Sequence, residues 1–340
     1  MDIGKRLLRK NSLEKLVEQL HTEGTHVYAP VLKGKIVDFK NISSIQEMTD
    51  DYIVTRRSAK FASFPRVEKL LSFQTDKQGV KSQGTDTALI PEIVLLGTRP
   101  CDAIGFDSLT SIFNWDYKDD LYNERLGKTT IIGMSCSKSD DYCFCTSVNG
   151  NPGNTKGSDI LLTQFETGDY LAEIVTEKGN TFVNKYANLF EGDPGIEKEK
   201  YIAKVEKKFD EKEVIEHLSK IFENEIWLEQ SLRCLGCGAC AFVCPTCACF
   251  DIQDETNLRS GKRFRSWDSC GFSLFTLHTS GHNPREVQSK RWRQRIMHKF
   301  SYMPERLNIV GCVGCGRCSR ACPVDMNISE HITKIAEVVI

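Results

Sequence analysis

The sequence predicts two unlike parts: an α+β, mixed α/β domain over residues 1–228, and a compact module over 229–340 held together by its cysteines, with a long insertion at 250–308. Three observations carry this division. Short apolar runs and helical apolar rhythms alternate through the first half. A strongly charged stretch, 192–228, follows as a helical connector, and eleven of the fifteen cysteines lie beyond it. At 340 residues the chain is long enough for two cores.

The opening MDIGKRLLRKNSLEKLVEQL alternates charges with leucines on a helical period and has no apolar core or small-residue cleavage site, so an amphipathic helix of a cytoplasmic protein is expected. His26–Pro30 and Gly34–Phe39 are short β-rich runs. Pro91–Gly97 and Thr130–Met134 suit buried strands. After the first of these comes a turn at Arg99–Asp102 and then a helix over Asp102–Phe113, which puts Cys101 at the exit of a buried strand. Ser147–Gly157 reads as a surface loop, and Ala172–Thr176 with Phe182–Lys185 as a hairpin. With 45 basic and 46 acidic residues the net charge is −1, so no global field draws nucleic acid or an anionic membrane. No apolar run approaches the roughly 18 residues that span a bilayer.

Fifteen cysteines are many for a chain that nothing directs to an oxidising compartment, so metal ligation outranks disulfides. Cys234, Cys237, Cys240 and Cys244, then Pro245, have the spacing C-x2-C-x2-C-x3-C-P. Cys312, Cys315, Cys318 and Cys322, then Pro323, repeat it. A loop of this form presents three thiolates to three irons of a cubane, with Gly236, Gly238, Gly314 and Gly316 allowing close backbone approach. Where two such motifs occur, the fourth cysteine crosses to the other cluster. The expected ligand sets for two 4Fe-4S clusters in a ferredoxin-like module are therefore Cys234, Cys237, Cys240 and Cys322, and Cys312, Cys315, Cys318 and Cys244. Such pairs pass single electrons. Structural zinc prefers two knuckle pairs and fits this spacing poorly.

Seven cysteines remain. Cys101 and Cys136 follow predicted strands, and Cys143 and Cys145 share a tight loop. Parallel strands end at one sheet edge, so these four could meet around a third cluster; the alternative is buried small side chains and an idle surface pair. Cys247, Cys249 and Cys270 could line a cluster pocket, could pack without metal, or could make a further site with His278 or His282. Between the two motifs, residues 251–300 hold ten Lys/Arg against five Asp/Glu. The helix expected over Arg291–Phe300 would carry Arg291, Arg295 and Lys299 on one side, either as a solvated face or as a basic surface for an acidic partner protein. No G-x-G-x-x-G, P-loop or G-x-S-x-G motif stands in a suitable context, so nucleotide binding is not expected on this chain.

Leu96–Asp102, Tyr142–Cys145, Cys234–Phe250, Trp267–Cys270, Gly281-His282, Arg293–Arg295, His298–Phe300 and Cys312–Cys318, in this order, resemble the electron-transfer component shared by soluble sulfhydrogenases, where it is the beta subunit, and by anaerobic sulfite reductases. The resemblance implies two 4Fe-4S clusters and a neighbouring flavin-bearing diaphorase subunit with FAD, a 2Fe-2S cluster and the NAD(P)H site. It also implies a catalytic redox subunit with a NiFe or sirohaem centre. The first-domain cysteines fall where that family has them. Arg99-Pro-Cys-Asp102 is closer to the hydrogenase-type members. The leading expectation is a relay between the flavin-bearing and the catalytic subunits, with no nucleic acid and no membrane insertion. The rivals are a component of anaerobic sulfite reductase, a free-standing flavin-binding oxidoreductase, and a redox-sensing binding protein.

Overall fold

Four apolar runs rich in Val, Ile and Leu supply the centre of one large sheet. The computed structural model describes residues 4–338, so the first three residues of the expected opening helix lie outside the described residues. Twelve strands form among the described residues: β1 (Gly4–Leu8), β2 (His26–Lys33), β3 (Ile36–Ile42), β4 (Val67–Asp76), β5 (Gly79–Gly84), β6 (Ile93–Thr98), β7 (Thr129–Met134), β8 (Ile160–Gln164), β9 (Tyr170–Ile174), β10 (Phe190–Glu191), β11 (Phe250–Thr256) and β12 (Ser260–Trp267). The large sheet has the order β10-β1-β9-β8-β7-β6-β2-β3. Its centre, β2, β6, β7 and β8, is parallel; its flanks are antiparallel.

Helices cover both faces, which is why β6 reads as a continuous apolar run rather than an alternating one. The helix Lys10–Thr22 lays Leu13, Leu16, Val17 and Leu20 against Val94, Leu96, Ile132 and Leu162. On the opposite face Ala103 and Phe106, from the helix Pro100–Phe113, meet Ile93, Leu95 and Ile131.

The opening segment is a strand before it is a helix. Residues 4–8 pair with both β9 and β10 and gain ladder hydrogen bonds there, and the helix starts only at Lys10. The expected hairpin is likewise displaced. β8 and β9 form it, whereas Phe182–Lys185 ends a helix, Glu177–Lys185, whose N-cap Thr176 hydroxyl accepts from the Gly179 N–H at 3.1 Å. Cys101 sits in the first helical turn rather than in a separate turn, since Pro100 occupies the first helical position without losing a needed donor. In the charged connector, α-helices form at Glu211–Leu218 and Ile226–Ser231, and a single 3-10 turn at Lys198–Lys200.

Residue 228 is not a clean seam. A second sheet, ordered β11-β12-β4-β5, joins the insertion's hairpin to strands of the first half. Arg265 on β12, 3% exposed, pairs with Glu68 on β4 and with Asp119, and Arg125 Nε also donates to Glu68 at 2.6 Å. The C-terminal core itself takes in Phe144 and Val148 beside Trp292, Phe300 and Ile332.

Candidate metal centres

The two motif loops repeat one backbone. Gly236 and Gly238 lie at φ +65° and +73°, Gly314 and Gly316 at +64° and +67°. Each second glycine precedes a one-turn helix, Ala239–Phe242 or Arg317–Arg320. Only glycine adopts this left-handed conformation freely, and the space allows nothing larger. A Cβ at Gly238 would stand 2.5 Å from the Phe272 ring, and one at Gly316 would stand 2.4 Å from the Tyr142 carbonyl oxygen. The insertion covers the first loop and the first domain covers the second.

Two cavities lie behind these loops. Cys234, Cys237, Cys240 and Cys322 line one, with Cys318 at its side; Cys244, Cys312, Cys315 and Cys318 line the other. The fourth cysteine of each motif thus lines the cavity of the other motif. Cys237 is exposed, while Cys244 and Cys315 are buried. Burial pushes the Cys240 and Cys312 thiols up to about 12 and Cys315 to about 11, so bare thiolates would be costly there. Bound metal deprotonates such thiols outright, and the sulfur donors of both cavities suit iron–sulfur clusters.

Three buried cations face these cysteines. Lys299 Nζ donates to the Gly311 carbonyl at 2.6 Å, Thr246 Oγ1 at 3.0 Å and Cys244 Sγ at 3.4 Å. Arg295 donates to the Cys240 carbonyl at 3.1 Å and Cys247 Sγ at 3.7 Å, leaving Nε without a partner. Lys60 Nζ donates to the Cys247 carbonyl at 2.9 Å and stands 4.0 Å above the Trp267 ring. Among the described residues none of the three pairs with a carboxylate. Desolvation opposes the charge on Lys299, yet the sulfurs of Cys244 and Cys247 hold its pKa above the ordinary value. Burial draws Lys60 down. Cations placed this way call for a nearby anion, and a thiolate-ligated cluster is one.

The expected one-sided basic helix is therefore neither solvated nor a docking face along its length. Arg295 and Lys299, at 5% and 4% exposure, turn inward to the sulfurs. Arg291 bonds to Gln288 Oε1 at 2.8 and 3.0 Å, and Gln288 Nε2 in turn donates to Cys234 Sγ at 3.0 Å. Sequence reasoning missed Lys60 and Gln288, which carry no spacing signal, and assigned Arg295 and Lys299 the wrong environment.

The first-domain cysteines converge. β6 and β7 are parallel neighbours, so Cys101 and Cys136, which follow them, emerge side by side. Cys136 lies within electrostatic range of Cys101, Cys143 and Cys145, and Cys101 within range of Cys315. Burial raises Cys145 to about 12. The loop carrying Cys143 and Cys145 lies on the second motif, where the Phe144 N–H donates to the Gly314 carbonyl at 2.9 Å. Arg320 Nη2 donates to Cys143 Sγ at 3.4 Å.

All four thiols are free: Cys247 donates a hydrogen bond to Cys244, and Cys249 one to Cys270. The bond from Cys249, helped by Arg295 and Lys299, pulls the Cys270 thiol down to about 6. His278 and His282 turn to each other, ring centres 5.4 Å apart. Among the described residues no three Cys, His, Asp or Glu side chains close on one point as a single-ion site requires, so no zinc-type shell of cysteines and His278 or His282 forms. A four-iron cubane takes a wider cage than one ion.

Residues 233–326 match the family model of a 4Fe-4S dicluster domain. Over 321 residues, 92% of each chain, the sequence is 30% identical to sulfhydrogenase 2 subunit beta of Pyrococcus furiosus. No solved structure matches. The doubled cysteine loops, their crossed cavities and this similarity along the chain agree: the protein belongs to the sulfhydrogenase beta-subunit family and is an iron–sulfur electron-transfer protein.

Proposed function

We propose that the chain is the relay component of a cytoplasmic oxidoreductase complex of the soluble hydrogenase type, passing single electrons between a flavin-bearing NAD(P)H partner and a catalytic redox subunit. One observation carries the reading: two cavities, each lined by three cysteines of one motif and the fourth of the other, stand side by side and share Cys318. Cys234, Cys237, Cys240 and Cys322 would hold one 4Fe-4S cluster, and Cys312, Cys315, Cys318 and Cys244 the other, each taking up and giving one electron. Lys299, Arg295 and Gln288 favour the negative charge of the sulfurs, and the burial of Cys244 and Cys315 keeps water from the second cage.

Cys101, Cys136, Cys143 and Cys145 are proposed to hold a third 4Fe-4S cluster, continuing the line through the second motif, on which their loop lies. Cys249 and Cys270 act from beside the cages, their paired sulfurs close to Arg295. FAD and NAD(P)H belong to the partner. Membership of an anaerobic sulfite reductase is the second reading; the similarity along the chain to a sulfhydrogenase beta subunit supports the hydrogenase type over it.

Iron and acid-labile sulfide per chain, with EPR of the dithionite-reduced protein, test the assignment. About eight irons with coupled signals support the two-cluster relay, and about twelve add the first-domain cage. Zinc without labile sulfide overturns the relay. Copurification with identification of the accompanying chains tests the partners.

A further inference from the structure

The basic surface expected along residues 291–299 is largely internal, but an exposed basic concavity lies elsewhere. A cleft of about 1340 Å³ runs between the β2–β3 hairpin, the segment Tyr52–Phe61 and the first motif loop. Cys237, the exposed cysteine of that motif, lies on its lining, and Phe61, Phe242, Trp267 and Phe272 supply aromatic wall. Seven cations and a single carboxylate line it. Three of the cations are balanced: Arg57 by Asp38 at 2.6 Å, Arg317 by Asp102, and Arg320 by Asp140 at 2.5 Å. Lys35, Lys40, Arg56 and Arg66 are exposed and make no ion pair among the described residues. On the hairpin, Leu32 and Ile36 stand 55% and 41% exposed, apolar anchors beside the charge.

We propose that this cleft is the docking port for an acidic, protein-borne one-electron carrier, which exchanges electrons with the first cage through its Cys237 edge. The proposal rests on the relay reading and adds to it where the partner binds and what charge it bears. Size argues for a protein segment, because small-molecule sites occupy roughly 300–1,000 Å³. Charge argues for an acidic one: four unbalanced cations on a chain of net charge −1 make a local field that steers and orients an acidic surface. Position argues for a redox partner, since Cys237 of the first motif is exposed and lines this cleft.

The test uses the full chain with its clusters, isolated anaerobically, reduced with dithionite and freed of reductant. It is mixed in a stopped-flow cell with an oxidised acidic 2Fe-2S ferredoxin and, separately, with an oxidised basic c-type cytochrome. Each mixing is compared with the variant Lys40→Glu/Arg56→Glu/Arg66→Glu. At low ionic strength the variant is expected to reduce the ferredoxin at least about tenfold more slowly and the cytochrome faster, with both differences collapsing near about 0.5 M salt. An unchanged ferredoxin rate at unchanged iron content overturns the port. So does free FAD binding in the cleft with block of the ferredoxin reaction, which would make it a nucleotide site. If the charge-reversed variant loses iron, Lys40→Gln/Arg56→Gln/Arg66→Gln reads the same slowing with a smaller amplitude. Wild-type protein that reduces neither carrier removes the relay reading itself, a result distinct from loss of the port.

Discussion

The eight-stranded sheet and the cysteine module are built on opposite principles. In the sheet, leucines, valines and isoleucines from alternate positions of β6, β7 and β8 fill both faces with apolar side chains. In the module, Arg295 and Lys299, with Lys60 reaching in from the first half, are buried yet face sulfur and carbonyl oxygen. A sheet of the first kind folds from its own chain; a core of the second kind awaits the anion it is built around. The difference teaches that clusters would complete the core of the module, whereas the sheet is filled by its own side chains and meets the proposed first-domain cage only at its edge.

Iron removal should break this comparison most visibly. Anaerobic chelation is expected to cost the module on the order of 10 kcal/mol, as loss of a structural metal does. Amide exchange would then show protection lost across residues 233–326 and retained in β6, β7 and β8; simultaneous loss in both halves would refute the division. Next in size is Arg317→Met. Arg317 and Asp102 are each 1% exposed at the side chain, and Arg317 Nε also donates to the Thr55 carbonyl at 2.8 Å, so removal leaves a buried carboxylate unpaired. A loss of about 3–5 kcal/mol is expected by thermal unfolding, partly restored in Asp102→Asn/Arg317→Met. Leu162→Ala, at a fully buried site in β8, should cost about 2–5 kcal/mol and leave iron per chain unchanged.

His331 sharpens the comparison through pH. Burial holds its pKa down to about 4, it meets Trp292 edge to face with ring centres 5.1 Å apart, and its Nδ1 has no partner. The folded value lies below the ordinary value of 6.5, so the neutral ring's contribution is complete above about pH 6.5 and is lost as pH falls towards 4. In a site that solvent partly screens this is worth about 1–2 kcal/mol. His331→Gln should flatten the fall in melting temperature between those pH values. The smallest effect is electronic. Lys299→Met removes the cation beside Cys244, and the midpoint of one cluster in an EPR redox titration should drop by about 60 mV, a tenfold change for one electron; Lys299→Arg should hold it.

Strands such as β6 were legible because a strand buried on both faces writes a continuous apolar run. The eight motif cysteines stood out because their spacing is that of cluster ligands, and the structure gathers them around two cavities. β1 was hidden: Gly4-Lys-Arg-Leu-Leu8 has no strand alternation and becomes a strand only between partners far away in sequence. The pairing of β12 with β4 was hidden for the same reason, joining residues 260–266 to 67–74. Arg295 and Lys299 misled most, because a charged side chain is assigned to water unless its counter-charge is visible, and here the counter-charge is sulfur.

The two motif loops share their glycines, their left-handed turns and their one-turn helices, but not what lies over them: Phe272 over one, Tyr142 over the other. A duplication that copied the ligands therefore left the coverings free to diverge. Natural variation could then re-tune either half of the pair through segments that carry no motif cysteine, so that twins in sequence become unequal steps on an energetic staircase.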